Sequence, residues 1–378
     1  MTHRPDIVVL GAGYAGLTAA LRLARNPHLT VTLIDPSDHF TERVRLHQLT
    51  AGRPEVVVTH PFSSLLRGTG IRHLASRAVD LDREARQLRT DDGRTVSYDR
   101  LVYALGSVTD TSAITNTVAG TSTSTPGTDT NTSTVKDARE RVYTAESAAE
   151  LGKRLLDGPG RLAVVGGGLT GIELAAEIAE SHPAWEVRLL TAGTLGAGLS
   201  GKGRAHVRRT LGAMGVQVRE GKRVTSVDEI DADVTVWAAA MRPRTELAAA
   251  AGLELDAAGR IVVDRTLRSA TDPAVYVAGD AAATSLRMAC ATAMPTGAHA
   301  AASVLADVEC RPGRPLGFRY VVQCISLGRK DALVQPVHGD DSPRGFALTG
   351  RPAVFVKEQV VRSTVRSLRA VASLARAR

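Results

Sequence analysis

The sequence predicts an α/β protein: one strand–turn–helix–strand pattern written twice, followed by a smaller α+β end. Three observations predict it. Ile7-Val8-Val9-Leu10 runs straight into Gly11-Ala12-Gly13-Tyr14-Ala15-Gly16, and the apolar spacing of Leu17, Ala20, Leu21 and Leu23 then reads as a helix. The same order returns at Arg161–Val165, Gly166-Gly167-Gly168-Leu169-Thr170-Gly171 and Ile172–Ile178. Near the end, Phe318–Leu327 and Asp331–Gln335 read as the two strands of a hairpin. Each glycine-rich unit is Rossmann-like. A chance repeat of the whole pattern is improbable, so two dinucleotides, or one large bipartite ligand, are expected.

In the first unit Gly11 permits the tight turn, and Gly13 lets a pyrophosphate approach the backbone. Gly16 lets helix and strand pack closely, and the helix N-terminus offers free N–H groups to phosphate. Ala12, Tyr14 and Ala15 fill the same turn. A second strand, Val31–Ile34, ends at Asp35, about 20 residues beyond the glycines, where a carboxylate accepts a bond from a ribose hydroxyl. Pro36–Asp38 reads as a turn and Thr41–Gln48 as a short helix. There Arg43 or Arg45 is placed near a phosphate, and His47 is a candidate proton donor at a redox centre. Residues 71–103 alternate in the β manner. The strand Leu101–Tyr103 ends at Ala104-Leu105-Gly106, which lets the backbone lie close to something large and flat.

From Thr109 to Thr134 Ser and Thr dominate, and nothing there can build a core; a surface linker is expected. A helix near Glu146–Leu156 precedes the second unit. Its strand Val187–Leu190 ends not at an acid but at Thr191-Ala192-Gly193. A small polar residue leaves room for a 2′-phosphate, with Lys202 or Arg204 to supply charge, so NADPH fits at least as well as NADH. Asp233–Pro243 reads as a strand leaving this unit, Ile261–Asp264 as another, and Val275–Ala278 as a strand ending in Gly279-Asp280. Pro295-Thr296-Gly297 reads as the opening of an Ala-rich helix running through Leu305, whose free amides would face an electron-rich carbonyl.

Composition narrows the function. The charge of +8 comes mostly from arginines scattered among acids, and aromatics are only 3 % of the chain; both argue against nucleic acid. Cys290, Cys310 and Cys324 contain no close pair, which excludes a zinc site of the usual spacing and a C-x-x-C disulfide; no metal is expected. The first strand begins too soon for a cleavable signal peptide, and no apolar run is long enough to span a bilayer. A cytoplasmic location is expected. The tail 357–378 carries Val361, Val365, Leu368 and Val371 at helical spacing, with Arg362, Arg366 and Arg369 on other faces. Such a basic helix can meet the inner face of a membrane, but docking on its own domain or on a partner is favoured. Oligomeric state is left open.

The ordered set of a glycine motif with Asp35, Ala104-Leu105-Gly106, a second glycine motif, Gly279-Asp280 and a terminal sheet resembles the FAD-dependent pyridine nucleotide oxidoreductases. Within them it is most similar to the branch of type II NADH dehydrogenases and apoptosis-inducing factor. The resemblance implies that Gly11, Gly13, Gly16 and Asp35 bind the ADP half of FAD, with the backbone around Val79 at the adenine. Ala104 and Gly106 match a strand end of the family, Leu105 replacing a threonine. Asp280 would bind the ribitol chain, and the helix near Pro295 and Thr296 would point at the flavin. Gly166, Gly168, Thr170 and Gly171, with Thr191, would hold NADH or NADPH. Glu173 matches an acid beside the nicotinamide and is the one candidate catalytic residue, and Ala240 replaces a glycine of the cofactor loop. The chain departs from the respiratory members at Cys290–Thr296, which contains no glutamine where they carry a pair, and it lacks the cysteine pair of the disulfide reductases.

The implied activity is transfer of hydride from NAD(P)H to FAD, and of electrons onward to a quinone or another small acceptor. An iron–sulfur protein reductase, with ferredoxin as acceptor, and a non-catalytic redox-sensing flavoprotein are the alternatives. The implied organisation is an FAD-binding domain over 1–108 and 256–312, an insertion over 109–135, an NAD(P)-binding domain over 136–255 and a C-terminal α+β domain over 313–378.

Overall fold

The computed structural model of the chain describes residues 4–112, 114 and 142–376. The Ser/Thr-rich stretch expected as a linker falls for the most part outside them.

β-Branched and leucine runs form the central strands, as their fit to a doubly covered parallel sheet requires. Strand β1 (Asp6–Leu10) leads through the glycine turn into helix α1 (Tyr14–Leu23) and back to β2 (Thr30–Ile34). Strands β3 (Arg72–Leu74) and β4 (Arg100–Tyr103) follow. The chain then passes helix α2 (Ala148–Arg154) and builds a second sheet from β5 (Val142–Tyr143), β6 (Arg161–Val165), β7 (Glu186–Leu190), β8 (Gln217–Arg219) and β9 (Val234–Trp237), with helices α3 (Leu169–Ser181) and α4 (Gly201–Ala213). It returns to the first sheet as β10 (Val275–Val277) and continues into helix α5 (Cys290–Val308). The orders are β10-β4-β1-β2-β3 and β5-β9-β6-β7-β8, all neighbours parallel. In both sheets the first strand of the glycine unit sits in the middle, with chain leaving to either side. That reversal opens a crevice at the carboxyl ends of the strands.

The end of the chain forms an antiparallel sheet of β11 (Val322–Ser326), β12 (Ala332–Pro336) and β13 (Leu348–Thr349), then helix α6 (Gly350–Arg376). The apolar stripe of α6 is buried on its own chain: Val365, Leu368 and Ala372 share one core with Leu17 and Leu21 of α1 and Ala300 and Ala301 of α5. Burying a leucine such as Leu368 contributes about 2 kcal/mol. Ala353, one end of the helix, packs instead on Ala332 and Val334 of the terminal sheet. No helix of the described residues is long and apolar enough to cross a membrane.

Three local expectations are corrected. The region 41–48 is not one helix: His39–Thr41 pairs as a strand with Thr59–Pro61, and only Arg43–Gln48 turns, as 3₁₀ helix. The strand expected over 233–243 is broken at Ala238–Ala240. Beyond the break Met241–Pro243 leaves the second sheet and pairs antiparallel with Ser107–Thr109 beside the first, so the three alanines carry the chain across. Helix α5 starts at Cys290, not at Pro295. Ala289 is extended, Thr292 donates its hydroxyl back to the Ala289 and Arg287 carbonyls, and Pro295 sits inside the helix. There it removes only the bond to Ala291, an exposed residue of the first turn.

Candidate functional site

A single cleft of about 1670 Å³ runs from the carboxyl ends of the first sheet to α3, the terminal sheet and α6. Its first end is built by the Gly11–Gly16 turn. Gly11 has φ +96°, and a Cβ there would meet the Ala104 carbonyl oxygen at 2.5 Å. A Cβ on Gly16 would overlap the Gly11 carbonyl. Gly13, extended at φ −70° and capping α1, has nothing within 4 Å on its Cβ side. Asp35 is fixed by two backbone donors, Ala12 N–H at 2.7 Å and Ser37 N–H at 2.9 Å.

The floor comes from β4 and β10. Gly106 and Gly279 both adopt positive φ, +69° and +72°. Asp280 follows, and its Oδ2 accepts the Ser107 hydroxyl at 2.6 Å. Its Oδ1 is buried and has no hydrogen-bond partner among the described residues. Thr296 does not reach the cleft. Its hydroxyl accepts the Gly279 N–H at 2.9 Å and donates to the Thr292 carbonyl, which ties the Gly279–Asp280 turn to α5. Because α5 begins early, its first turn, Cys290, Ala291 and Ala293, lies on the cleft wall together with Pro295. Arg43 is on the wall too, but its guanidinium donates to the Ser107 carbonyl at 3.2 Å and to Glu146 at 3.0 Å.

Of the residues singled out for the first unit, Gly11, Ala12, Gly13, Tyr14, Ala15, Asp35, Arg43, Ala104, Gly106, Gly279, Asp280 and Pro295 line this cleft, and half-exposed Val79 stands at its rim. Thr170, Glu173 and Ala240 line its other end. Gly16, Gly166, Gly168, Gly171, Thr191 and Thr296 are not on its wall. Gly166, with φ +130°, and Gly171 serve the second turn as Gly11 and Gly16 serve the first. Gly168 caps α3 and faces open space.

Lys357, read from sequence only as the start of the basic tail, also lies on the cleft wall, beside the candidate Glu173. Glu173 accepts the Ser326 N–H at 2.9 Å and pairs with the ammonium of Lys357, both side chains being largely buried. Burial and the nearby Arg45 pull the Lys357 pKa down to about 7, with Glu358 opposing. Arg45 forms a double contact with Glu358 at 2.9 and 3.2 Å and reaches Glu42 at 3.1 Å, and Glu42 meets His60 at 2.6 Å. This network fastens the Lys357 turn of α6 to the first unit. His47 also lines the cleft, but burial and the cations Lys357, Arg329 and Arg45 push its pKa down to about 3. Burial among these cations favours its neutral imidazole over the imidazolium. Cys290 and Cys324 face the cleft as thiols, burial holding their pKa values up at about 12 and about 11. No cluster of three or more metal-ligating side chains occurs among the described residues.

Two glycine turns, each on a central parallel strand, with one long cleft that the first turn lines and Thr170 of the second reaches, define a two-nucleotide oxidoreductase scaffold. The chain belongs to the pyridine nucleotide-disulphide oxidoreductase family, whose model matches residues 5–302. It is 27 % identical, over 94 % of this chain and 92 % of the other, to an NADH dehydrogenase-like protein of Mycobacterium tuberculosis. It is 26 % identical to an alternative NAD(P)H-ubiquinone oxidoreductase of Arabidopsis thaliana, over 88 % of this chain and 73 % of the other. Among solved structures, NDH2 of Plasmodium falciparum in complex with NADH superposes with a TM-score of 0.77 at 15 % identity, covering 99 % of this chain and 97 % of that one. The protein is thus a flavin-linked, NAD(P)H-using oxidoreductase, as its motif order implied.

Proposed function

We propose that this chain carries electrons from NAD(P)H, by way of bound FAD, to a quinone-like acceptor. The residues at the first turn fit FAD on their own chemistry. Gly13 leaves a cradle that a side chain would fill, the amides of α1 face it, and the buried Oδ1 of Asp280 lacks a donor that a sugar-alcohol hydroxyl supplies. FAD when bound supplies the two-electron and one-electron chemistry that no side chain here provides. The first turn of α5 presents N–H groups and the positive end of its dipole to the cleft, which favours negative charge there.

One observation carries the acceptor reading: the cleft continues past Asp280 to a buried Glu173–Lys357 pair. Reduction of a quinone by two electrons also needs two protons. Lys357, poised near neutrality, donates one to an acceptor oxygen, while Glu173, held by Ser326 N–H, keeps the ammonium aimed into the cleft. The relatives named for NADH dehydrogenase and NAD(P)H-ubiquinone activity support this reading.

Steady-state turnover of the flavin-loaded protein with a short-chain soluble quinone tests it. Quinone reduction well above the rate of oxygen consumption is expected. Turnover that appears only when a ferredoxin is added would instead make the protein an iron–sulfur protein reductase.

A further inference from the structure

We propose that the second glycine turn selects NADPH over NADH, and that Thr191 with Lys222 and Arg223 makes the selection. The inference rests on reading that turn as the nicotinamide-nucleotide site. It starts from a comparison the molecule makes with itself. Gly11 N–H donates to Ile34 O at the end of β2, and Gly166 N–H donates to Leu190 O at the end of β7. Asp35 N–H donates to Leu74 O of β3, and Thr191 N–H donates to Arg219 O of β8. The two turns share one backbone register, so Thr191 occupies the place of Asp35.

The side chains at that place do opposite things. Asp35 brings a carboxylate to the turn and takes Ala12 N–H. A carboxylate there accepts from a free ribose hydroxyl and repels a phosphate on the same oxygen. Thr191 is uncharged and folds down on the turn: a Cβ added to Gly167 would lie 2.6 Å from its hydroxyl. Ala192 and Gly193, exposed, add no bulk beside it.

Cations replace the missing acid. Lys222 N–H donates to Thr191 O at 3.0 Å, so the Lys222–Arg223 loop is stapled to the end of β7. Arg219, Lys222 and Arg223 are exposed, and among the described residues their side chains have no hydrogen bond or ion pair. The one acid between them, Glu220, is already spent. It accepts Leu195 N–H and a two-oxygen contact from Arg208 at 2.7 and 3.0 Å. The rim is therefore net positive around a neutral Thr191, the reverse of the first turn. Of the cations offered from sequence, Arg204 is engaged elsewhere, donating to Leu199 O at 2.9 Å.

The test is binding of nucleotide fragments by calorimetry to the flavin-loaded protein, which needs no turnover. Adenosine 2′,5′-bisphosphate is expected to bind at least about tenfold more tightly than AMP, the worth of a charge-assisted hydrogen bond or two. The advantage should shrink as salt rises. Lys222→Gln together with Arg223→Gln should erase most of it and leave AMP affinity in place, whereas Thr191→Glu should reverse it. AMP binding as well as the bisphosphate overturns the selection alone. Binding of neither fragment overturns the nucleotide reading of the turn as well.

Discussion

Gly13→Val is expected to give a folded, soluble protein that purifies without its yellow colour. Gly13 has the extended backbone of an N-cap, φ −70° and ψ −170°, which valine adopts without strain. A Cβ there meets nothing within 4 Å, so the fold itself loses little. The added methyl groups instead fill the space through which a pyrophosphate reaches the amides of α1. Loss of a ligand that normally sits at about a hundred times its dissociation constant removes about 2.7 kcal/mol of stability, so the melting temperature falls while the circular dichroism spectrum is kept. The choice of residue matters. Alanine at Gly11 would strike the Ala104 carbonyl, and at Gly16 the Gly11 carbonyl, so either would confuse misfolding with lost binding. A Gly13→Val protein that keeps a full flavin absorbance band would contradict the placement of the cofactor.

Quinone reduction is expected to decline as pH rises through about 7, and Lys357→Met is expected to slow it about a hundredfold and flatten the profile. The sign follows from the group. Burial and Arg45 lower the lysine's pKa, so the ammonium that donates the proton is complete below neutrality and is lost above it. On the alkaline limb the rate should approach a tenfold fall per pH unit, until another proton source takes over. Ferricyanide accepts an electron without a proton, so its reduction should show neither the decline nor the sensitivity to Lys357→Met. An alkaline limb that survives in Lys357→Met would assign the titration to another group.

The parts of the site legible in sequence are those set by local sterics. The positive φ of Gly11 and Gly166, and the carbonyls that crowd Gly16 and Gly171, are demands of one strand–turn–helix unit, and only glycine meets them. Asp35 was legible for the same reason, since one helix and one strand fix its distance from the turn. The start of α5 was not. Pro295 marks a helix start when it stands in the first turn, but the start is made by extended Ala289 and the backward hydrogen bonds of Thr292, neither of which is a strong local signal. Least legible was the pair of Glu173 with Lys357, which lie 184 residues apart and meet only because α6 folds back over the cleft. In sequence Lys357 is one more basic residue of an amphipathic tail. In the fold it is buried against Glu173, on a turn of α6 whose Glu358 is tied through Arg45 to Glu42.

The most direct test of the account is anaerobic rapid mixing of the purified protein with NADPH or NADH while the oxidised-flavin absorbance is followed. Rapid bleaching is expected, faster at subsaturating NADPH than at the same concentration of NADH. Flavin that stays oxidised for minutes with both nucleotides would show that the second turn does not deliver a nicotinamide to the cleft, and would contradict the oxidoreductase mechanism at its first step.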